Sequence, residues 1–436
     1  MKKSKYNILF EEDNNNFVFN SFTTALDKVN NDFLDILNSA ESLTSEKYNE
    51  HKPLIDNMIK SGYLVSDDYD ELKALQFYHL SQKFNGERLF LTIAPTMGCN
   101  FACPYCYESV KCGTMTQDVR DRLIEFVKSN LENKTSLHVL WFGGEPLLAK
   151  EIIYDLSNEM ISLCEENGVR YKAKMVSNSY LLDDETMSKL KQCKVEEIQV
   201  TIDGPARIHN SRRKLKNSDS PTFDRILSNI SKLKKFGIHA IIRINVDKTN
   251  VDYIGELADT LAEYGLKDTF VYLGYTTEYD RDCPTKMTET CLDYTDFSII
   301  SAEFYKLLIE KGFSNIINNI YPSVTPGHCS AEFLNSFIID PLGNLYKCEN
   351  ELGETENCIG NIFNVNDKKD KYAINGIEWL LSSPFSNENC ISCNILPLCM
   401  GGCQFSYRKT KKLRCLPLKY NIVNTLKLRC KQFCTK

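Results

Sequence analysis

No cysteine precedes Cys99 in a chain that contains 18 of them, and seven crowd into the stretch from Cys390 onward. No run approaches 18 uncharged apolar residues, so no membrane span is expected. The opening Met1-Lys2-Lys3-Ser4-Lys5-Tyr6-Asn7 leads into Asn- and Asp-rich sequence without an apolar core. It is not expected to be a secretion signal, and the implied location is cytoplasmic. Positive charge is not in excess: the formal net charge of −6 argues against nucleic acid as the main partner. There is no repeat of fixed period and no low-complexity tract beyond Asn14-Asn15-Asn16. Without a secretion signal, so many cysteines point to metal ligands in a reducing compartment rather than to a disulfide framework.

At 436 residues the chain exceeds one ordinary core, so two or three domains are expected. Its 42% hydrophobic and 25% charged residues are usual for a globular protein. Residues 1–85 form a cysteine-free block. Tyr6 to Phe10 and Phe17 to Phe19 flank an Asn/Asp-rich turn and read as a hairpin. Phe33, Leu34, Ile36 and Leu37 suit a short helix, and Leu54, Ile55, Met58 and Ile59 another that closes at Gly62. Tyr63 to Val65 suits a small strand. Together these suggest a small winged-helix-like module or a plain α+β cap.

Strand and helix patterns then alternate. Strands are expected at Leu89 to Ala94, Leu137 to Phe142, Tyr171 to Ser177, Glu197 to Ile202, Ala240 to Val246 and Phe270 to Leu273. Helices are expected at Val119 to Asn130, Ile152 to Glu166, Phe223 to Phe236 and Tyr253 to Tyr264. Such βα repetition implies an α/β fold with a parallel sheet or incomplete barrel, whose chemistry sits at the C-terminal strand ends. The division expected is 1–85, 86–315 and a loop-rich, cysteine-dense 316–436.

Cys99, Cys103 and Cys106, spaced C-x3-C-x2-C, directly follow the first of those strands. Three thiolates can hold three irons of a [4Fe–4S] cube and leave the fourth open to a small molecule. The alternatives are a zinc knuckle or chance clustering. Gly143-Gly144-Glu145-Pro146 follows the second strand. Glycines admit close backbone approach, and a carboxylate can accept hydrogen bonds from an ammonium group. Ser177-Asn178 ends the third strand, and Thr201-Ile202-Asp203-Gly204-Pro205 ends the fourth, followed by His209 and Arg212. Arg243 and Asn245 share one face of the fifth because side chains alternate.

This series resembles radical S-adenosylmethionine (SAM) enzymes. The resemblance implies a partial (β/α)6 TIM-like barrel in which the open iron chelates the methionine half of SAM. One electron from the cluster then yields a 5′-deoxyadenosyl radical. It implies SAM contacts from Tyr105, Gly143, Gly144, Glu145, Ser177, Asn178, Thr201, Asp203, Arg243 and Asn245. The family often has glycine where this chain has Ser179.

The C-terminal third adds Cys329, then Gly343 to Cys348, then Cys390, Cys393, Cys399 and Cys403 spaced C-x2-C-x5-C-x3-C, and Cys415. One tetrahedral zinc would use only four ligands. The pattern resembles the SPASM domain, which carries two auxiliary [4Fe–4S] clusters, for three in all. By that resemblance Cys390, Cys393, Cys399 and Cys415 ligate the outer cluster, and Cys329, Cys348 and Cys403 the inner one. The cysteine that precedes Cys329 in sulfatase-maturating enzymes is missing from Tyr321 to His328. The inner cluster is therefore expected either to bind a peptide cysteine at an open iron or to take a spare ligand such as Cys291 or Cys358. Glu349 occupies the place of an acid that acts as a base in those enzymes.

The N-terminal block resembles the extensions with which maturases of ribosomally made peptides (RiPPs) grip a leader peptide. The expected function is RiPP maturation, hydrogen-atom abstraction followed by a cysteine thioether link. The alternatives are sulfatase-type oxidation of a protein Cys or Ser, or a C–C link. An electron donor such as flavodoxin or ferredoxin is implied. The non-enzyme rival is a zinc-stabilised winged-helix regulator. It requires a basic recognition helix, which residues 1–85 lack.

Overall fold

The computed structural model describes residues 1–108, 113–276, 289–364 and 373–434, in two compact units that are not consecutive in sequence. The first comprises Met1–Phe84, Ile320–Cys329 and Ser382–Lys436; the second comprises Asn85–Asn319 and Ser330–Leu381.

In the first unit, strand β1 (Lys2–Lys3) is followed by an antiparallel meander of β2 (Asn7–Glu12), β3 (Asn15–Asn20) and β4 (Leu26–Val29). Asp13 and Asn14 make the β2–β3 turn with φ of 50° and 57°. A two-residue hairpin turn of that hand matches the strand twist, and Asp and Asn tolerate positive φ. Helices Asn31–Asn38, Ser45–Glu50 and Lys52–Lys60 follow, then β5 (Leu64–Val65), which pairs antiparallel with β1, and helix Glu71–Lys83.

Phe17-Val18-Phe19 is apolar without alternation because the meander is covered on both faces. Val18 packs with Phe33, Ile36, Leu37, Ile55 and Met58. Ile8 and Phe19 pack with Ile395, Leu398, Ile422 and Leu426, the last two from the helix Leu418–Cys434. Tyr6 and Leu75 pack with Cys390, Leu396 and Met400. Continuous burial of this kind replaces the period-two pattern with an apolar run.

The second unit is built on a nine-stranded sheet. Its parallel part runs β6 (Arg88–Ile93), β7 (Ser136–Trp141), β8 (Arg170–Val176), β9 (Val195–Thr201), β10 (His239–Val246) and β11 (Phe270–Tyr275) as neighbours in order. The helices Gln117–Asn130, Lys150–Glu166, Asp184–Gln192, Phe223–Lys232 and Ile254–Glu263 lie in sequence between them. This is the expected mostly parallel α/β sheet. On the other side of β6, β12 (Ser336–Ile339) adds in parallel, followed by antiparallel β13 (Asn344–Tyr346) and β14 (Gly360–Asn361). The stretch read as loop-rich thus extends the barrel sheet. No helix among the described residues is long and apolar enough to cross a membrane.

Candidate active site

The loop after β6 carries the three leading cysteines and is pinned on two sides. Ala102 N–H donates to Lys214 O at 2.9 Å and Lys216 N–H to Asn100 O at 2.9 Å. The Gly143-Gly144 turn after β7 closes the other side. Gly144 N–H donates to Thr96 O at 3.2 Å, and Glu145 N–H to Gly98 O at 2.8 Å. A Cβ on Gly144 would sit 2.2 Å from Gly98 O, and one on Gly143, where φ is +109°, 2.4 Å from Thr96 O. The glycine pair is therefore required first by the cysteine loop itself, whose backbone it touches, and not only by a ligand.

A cavity of about 340 Å³ opens on this junction. Its wall includes Cys99, Cys103 and Cys106, and with them Tyr105, Gly143, Gly144, Ser177, Asn178, Thr201, Arg243, Asn245 and Glu349. Burial lifts the Cys99 thiol to about 11, and Glu145, Cys103 and Cys106 add to the rise, against an opposing N–H bond from Phe101. A thiol raised in this way must release its proton when a metal binds.

Glu145 and Asp203 do not form the wall; they hold it from behind. Glu145 is fully buried and its carboxylate accepts from Ser177 Oγ at 2.8 Å, Asn178 N–H at 2.7 Å and Leu147 N–H at 3.0 Å. Burial raises its pKa, and those donors oppose the rise. Asp203, also fully buried, accepts from the Tyr105 hydroxyl, from Arg212 Nε at 3.4 Å and from Asn245 N–H at 3.3 Å. The Tyr105 hydroxyl in turn accepts from Arg213 Nη1 at 2.8 Å, and Arg212 lies 5.2 Å over the Tyr105 ring. Both carboxylates thus orient wall residues, as outer-shell groups do around a metal centre. His209 is fully buried against Phe223 and takes no part in the wall.

Arg243 Nε donates to Asn245 Oδ1 at 2.8 Å, and the pair lies over Gly274. A Cβ there would meet Arg243 Nε at 2.4 Å. Burial pushes Glu349 up, and Arg243 pulls it back. Sequence reading passed over Gln199, Arg213, Gly274 and Thr276. Gln199 stands two residues before Thr201 on β9, and Thr276 just past β11, so period two and the strand-end rule marked both. Nothing marked Gly274 or Arg213.

Ser179 adopts φ +62°, the conformation glycine would take without strain, and its buried hydroxyl has no partner among the described residues. A left-handed non-glycine residue costs about 1–2 kcal/mol, and an unpartnered buried hydroxyl about 1–3 kcal/mol. Glycine's extra chain entropy, about 0.5–1 kcal/mol, offsets part of the gain. Ser179→Gly is expected to raise Tm by about 2–4 °C per kcal/mol gained; calorimetry showing an unchanged or lower Tm would contradict this.

In the first unit, Cys390, Cys393, Cys399 and Cys415 come together. Gly402, at φ +73°, makes this possible: a Cβ would lie 2.1 Å from Arg414 O, so residues 399–403 approach the backbone beside Cys415. Burial raises Cys390 to about 11, with Cys399, Cys415 and Cys393 adding to it. Cys399 is raised by burial but receives N–H bonds from Leu416 and Gly401. Lys419 Nζ donates to Cys415 Sγ at 3.6 Å. The hydroxyl of Tyr6, a fully buried side chain, has no partner among the described residues, and Cys393 is one of the charges acting on it. Cationic and N–H donors around four thiols, with an orphaned hydroxyl beside them, fit a thiolate-ligated cluster. Among the described residues no three His, Cys, Asp or Glu side chains converge as the ligands of one ion do. Cys348 lies in the second unit, where Asn350 Nδ2 donates to its sulfur at 3.7 Å, whereas Cys329 and Cys403 belong to the first. Cys358 is buried among Ala94, Met97 and Tyr346.

Residues 93–261 match the Radical SAM superfamily profile, a family whose members use SAM and a [4Fe–4S] cluster. The chain is 20% identical to the radical SAM cyclopropyl synthase TigE of Paramaledivibacter caminithermalis, over 92% of this chain and 89% of that protein. It is 23% identical to a cysteine-type anaerobic sulfatase-maturating enzyme of Clostridium perfringens, over 72% of this chain and 89% of that one. Its fold is similar to that of Streptococcus suis SuiB bound to the precursor peptide SuiA, with a TM-score of 0.51 and 16% identity, over 94% of this chain and 97% of that chain.

Proposed function

We propose that this radical SAM enzyme matures a ribosomally made precursor peptide, abstracting hydrogen from one of its carbons and linking that carbon to a peptide cysteine sulfur. SAM and the cluster of Cys99, Cys103 and Cys106 supply the radical, and the seven later cysteines hold two auxiliary clusters. The observation that carries this reading is one cavity walled both by those three thiols and by the Glu349–Arg243 side. Tyr105, fixed by Asp203 and Arg213, orients the adenine; Ser177, Asn178 and Thr201 hold the polar groups of SAM. Glu349 takes the cysteine thiol proton, with Arg243 beside it, and an auxiliary cluster would take up the one electron released as the C–S bond forms.

For leader recognition, β4 is the better edge. β4 and β5 each pair with a single strand among the described residues, but β4 offers four residues of edge and β5 two. An extended leader adds to such an edge through main-chain hydrogen bonds. Likeness to TigE over 92% of the chain favours a second reading, ring closure between carbons.

Both products lose two hydrogens, so the deciding experiment is iodoacetamide treatment of the product peptide. A thioether leaves the cysteine unalkylated; alkylation of every cysteine in a peptide lighter by two hydrogens rejects the thioether. In the same assay Glu349→Gln is expected to keep 5′-deoxyadenosine formation and to lower peptide turnover by about 10²–10⁴-fold, the range of a lost acid–base group. Undiminished turnover would remove Glu349 from the mechanism.

A further inference from the structure

From Asn389 to Lys436 there are ten Lys and Arg and no Asp or Glu, in a chain whose total is −6. Six of these cations, Arg408, Lys409, Lys411, Lys412, Arg414 and Lys419, fall in the twelve residues around Cys415. Helix Gln404–Thr410 ends in a left-handed Lys411, which turns the chain so that 409–412 are exposed. Lys409, Lys411 and Lys412 make no ion pair among the described residues, so their charge faces solvent. Cys393 and Cys415 line an open cavity of about 570 Å³ together with Lys419. A cluster on these thiolates therefore opens to the surface beside Lys419, with five further cations close to Cys415 in sequence and the exposed Glu388 just before Asn389.

We propose that this basic rim is the docking surface for an acidic one-electron carrier protein of the flavodoxin class. The inference rests on the reading that Cys390, Cys393, Cys399 and Cys415 hold a cluster. One electron passes from the flavin hydroquinone, which becomes the semiquinone, to the oxidised cluster, which is reduced; no bond forms or breaks. Electron-transfer complexes use small interfaces, so rim charge rather than apolar area must supply the attraction. Steering of this kind weakens with salt.

The test is titration calorimetry of oxidised flavodoxin against the anaerobically reconstituted full-length enzyme at low and high salt. Lys409→Glu with Lys412→Glu is expected to raise Kd about tenfold or more at low salt and to flatten its salt dependence. Lys409→Gln with Lys412→Gln should fall between, and the exposed control pair Lys128→Glu with Lys235→Glu should match wild type. Dithionite-driven turnover should be unchanged in every variant. Unchanged flavodoxin affinity in the Glu pair, or loss of precursor-peptide binding in its place, overturns the proposal. Iron analysis separates the two layers. If Cys390→Ala with Cys415→Ala retains the wild-type iron content, the cluster reading fails; if iron falls but rim variants bind flavodoxin normally, only the docking surface fails.

Discussion

Replacing Cys99, Cys103 and Cys106 together by alanine is expected to lower reconstituted iron from about 12 to about 8 per chain and to abolish 5′-deoxyadenosine formation. The effect is large because, in the proposed reading, these three thiolates would be the whole protein ligation of the reactive cube. The loop survives their loss: its hydrogen bonds to Lys214, Lys216 and the turn of Gly144 and Glu145 are made by backbone, not by sulfur. The two auxiliary sets are therefore expected to fill normally. Iron analysis and chromatography of the anaerobic reaction check this, and residual 5′-deoxyadenosine would contradict it.

Deleting residues 1–84 is expected to do more than remove leader recognition. Tyr6, Ile8, Phe19 and Leu75 from this block fill the core around Cys390, Leu396, Leu398 and Leu426. Burial of such side chains contributes about 1.5–3 kcal/mol each. Four of them amount to about 6–12 kcal/mol, comparable with an entire net stability of about 5–15 kcal/mol. Backbone anchors go too, since Lys5 Nζ donates to Ile391 O at 3.3 Å, and Ser21 Oγ donates to Asn394 O. The truncated chain is expected to lose the irons assigned to Cys390, Cys393, Cys399 and Cys415 and to expose apolar surface to a dye probe. A monomeric truncation with full iron content would contradict this. Peptide recognition is consequently better tested by point changes along β4 than by truncation.

Much of the barrel was readable because each strand is a short apolar run and each helix carries its own period. Expected and observed strand limits differ by at most two residues, as with Leu89 to Ala94 against Arg88–Ile93. The hairpin of Tyr6 to Phe19 was readable for the same reason. What the pattern concealed was partnership across long sequence separation. Nothing local in Phe17-Val18-Phe19 announces that its second face belongs to Ile395 and Leu426. β12 to β14 escaped because strands of two to four residues carry too few positions to show a period.

The same limit holds at the cavity. Arg243 and Asn245 could be placed on one face from strand alternation alone. That Gly274 clears the space they occupy depends on the neighbouring strand, where Asn245 faces Gly274 in the β10–β11 register. The motif residues Glu145 and Asp203 were legible as important but not as buried supports. Burial depends on Ser177, Asn178, Tyr105 and Arg212 arriving from other loops.

The central claim is that a radical formed beside Cys99, Cys103 and Cys106 takes hydrogen from a precursor peptide. It is tested most directly by incubating the reconstituted enzyme, SAM and dithionite with a carbon-deuterated, cysteine-containing precursor peptide in ordinary water. The account predicts one deuterium in each 5′-deoxyadenosine, matched by a product peptide that has lost that deuterium and one further hydrogen. Undeuterated 5′-deoxyadenosine with unaltered peptide, from a peptide labelled at every carbon position, would contradict it.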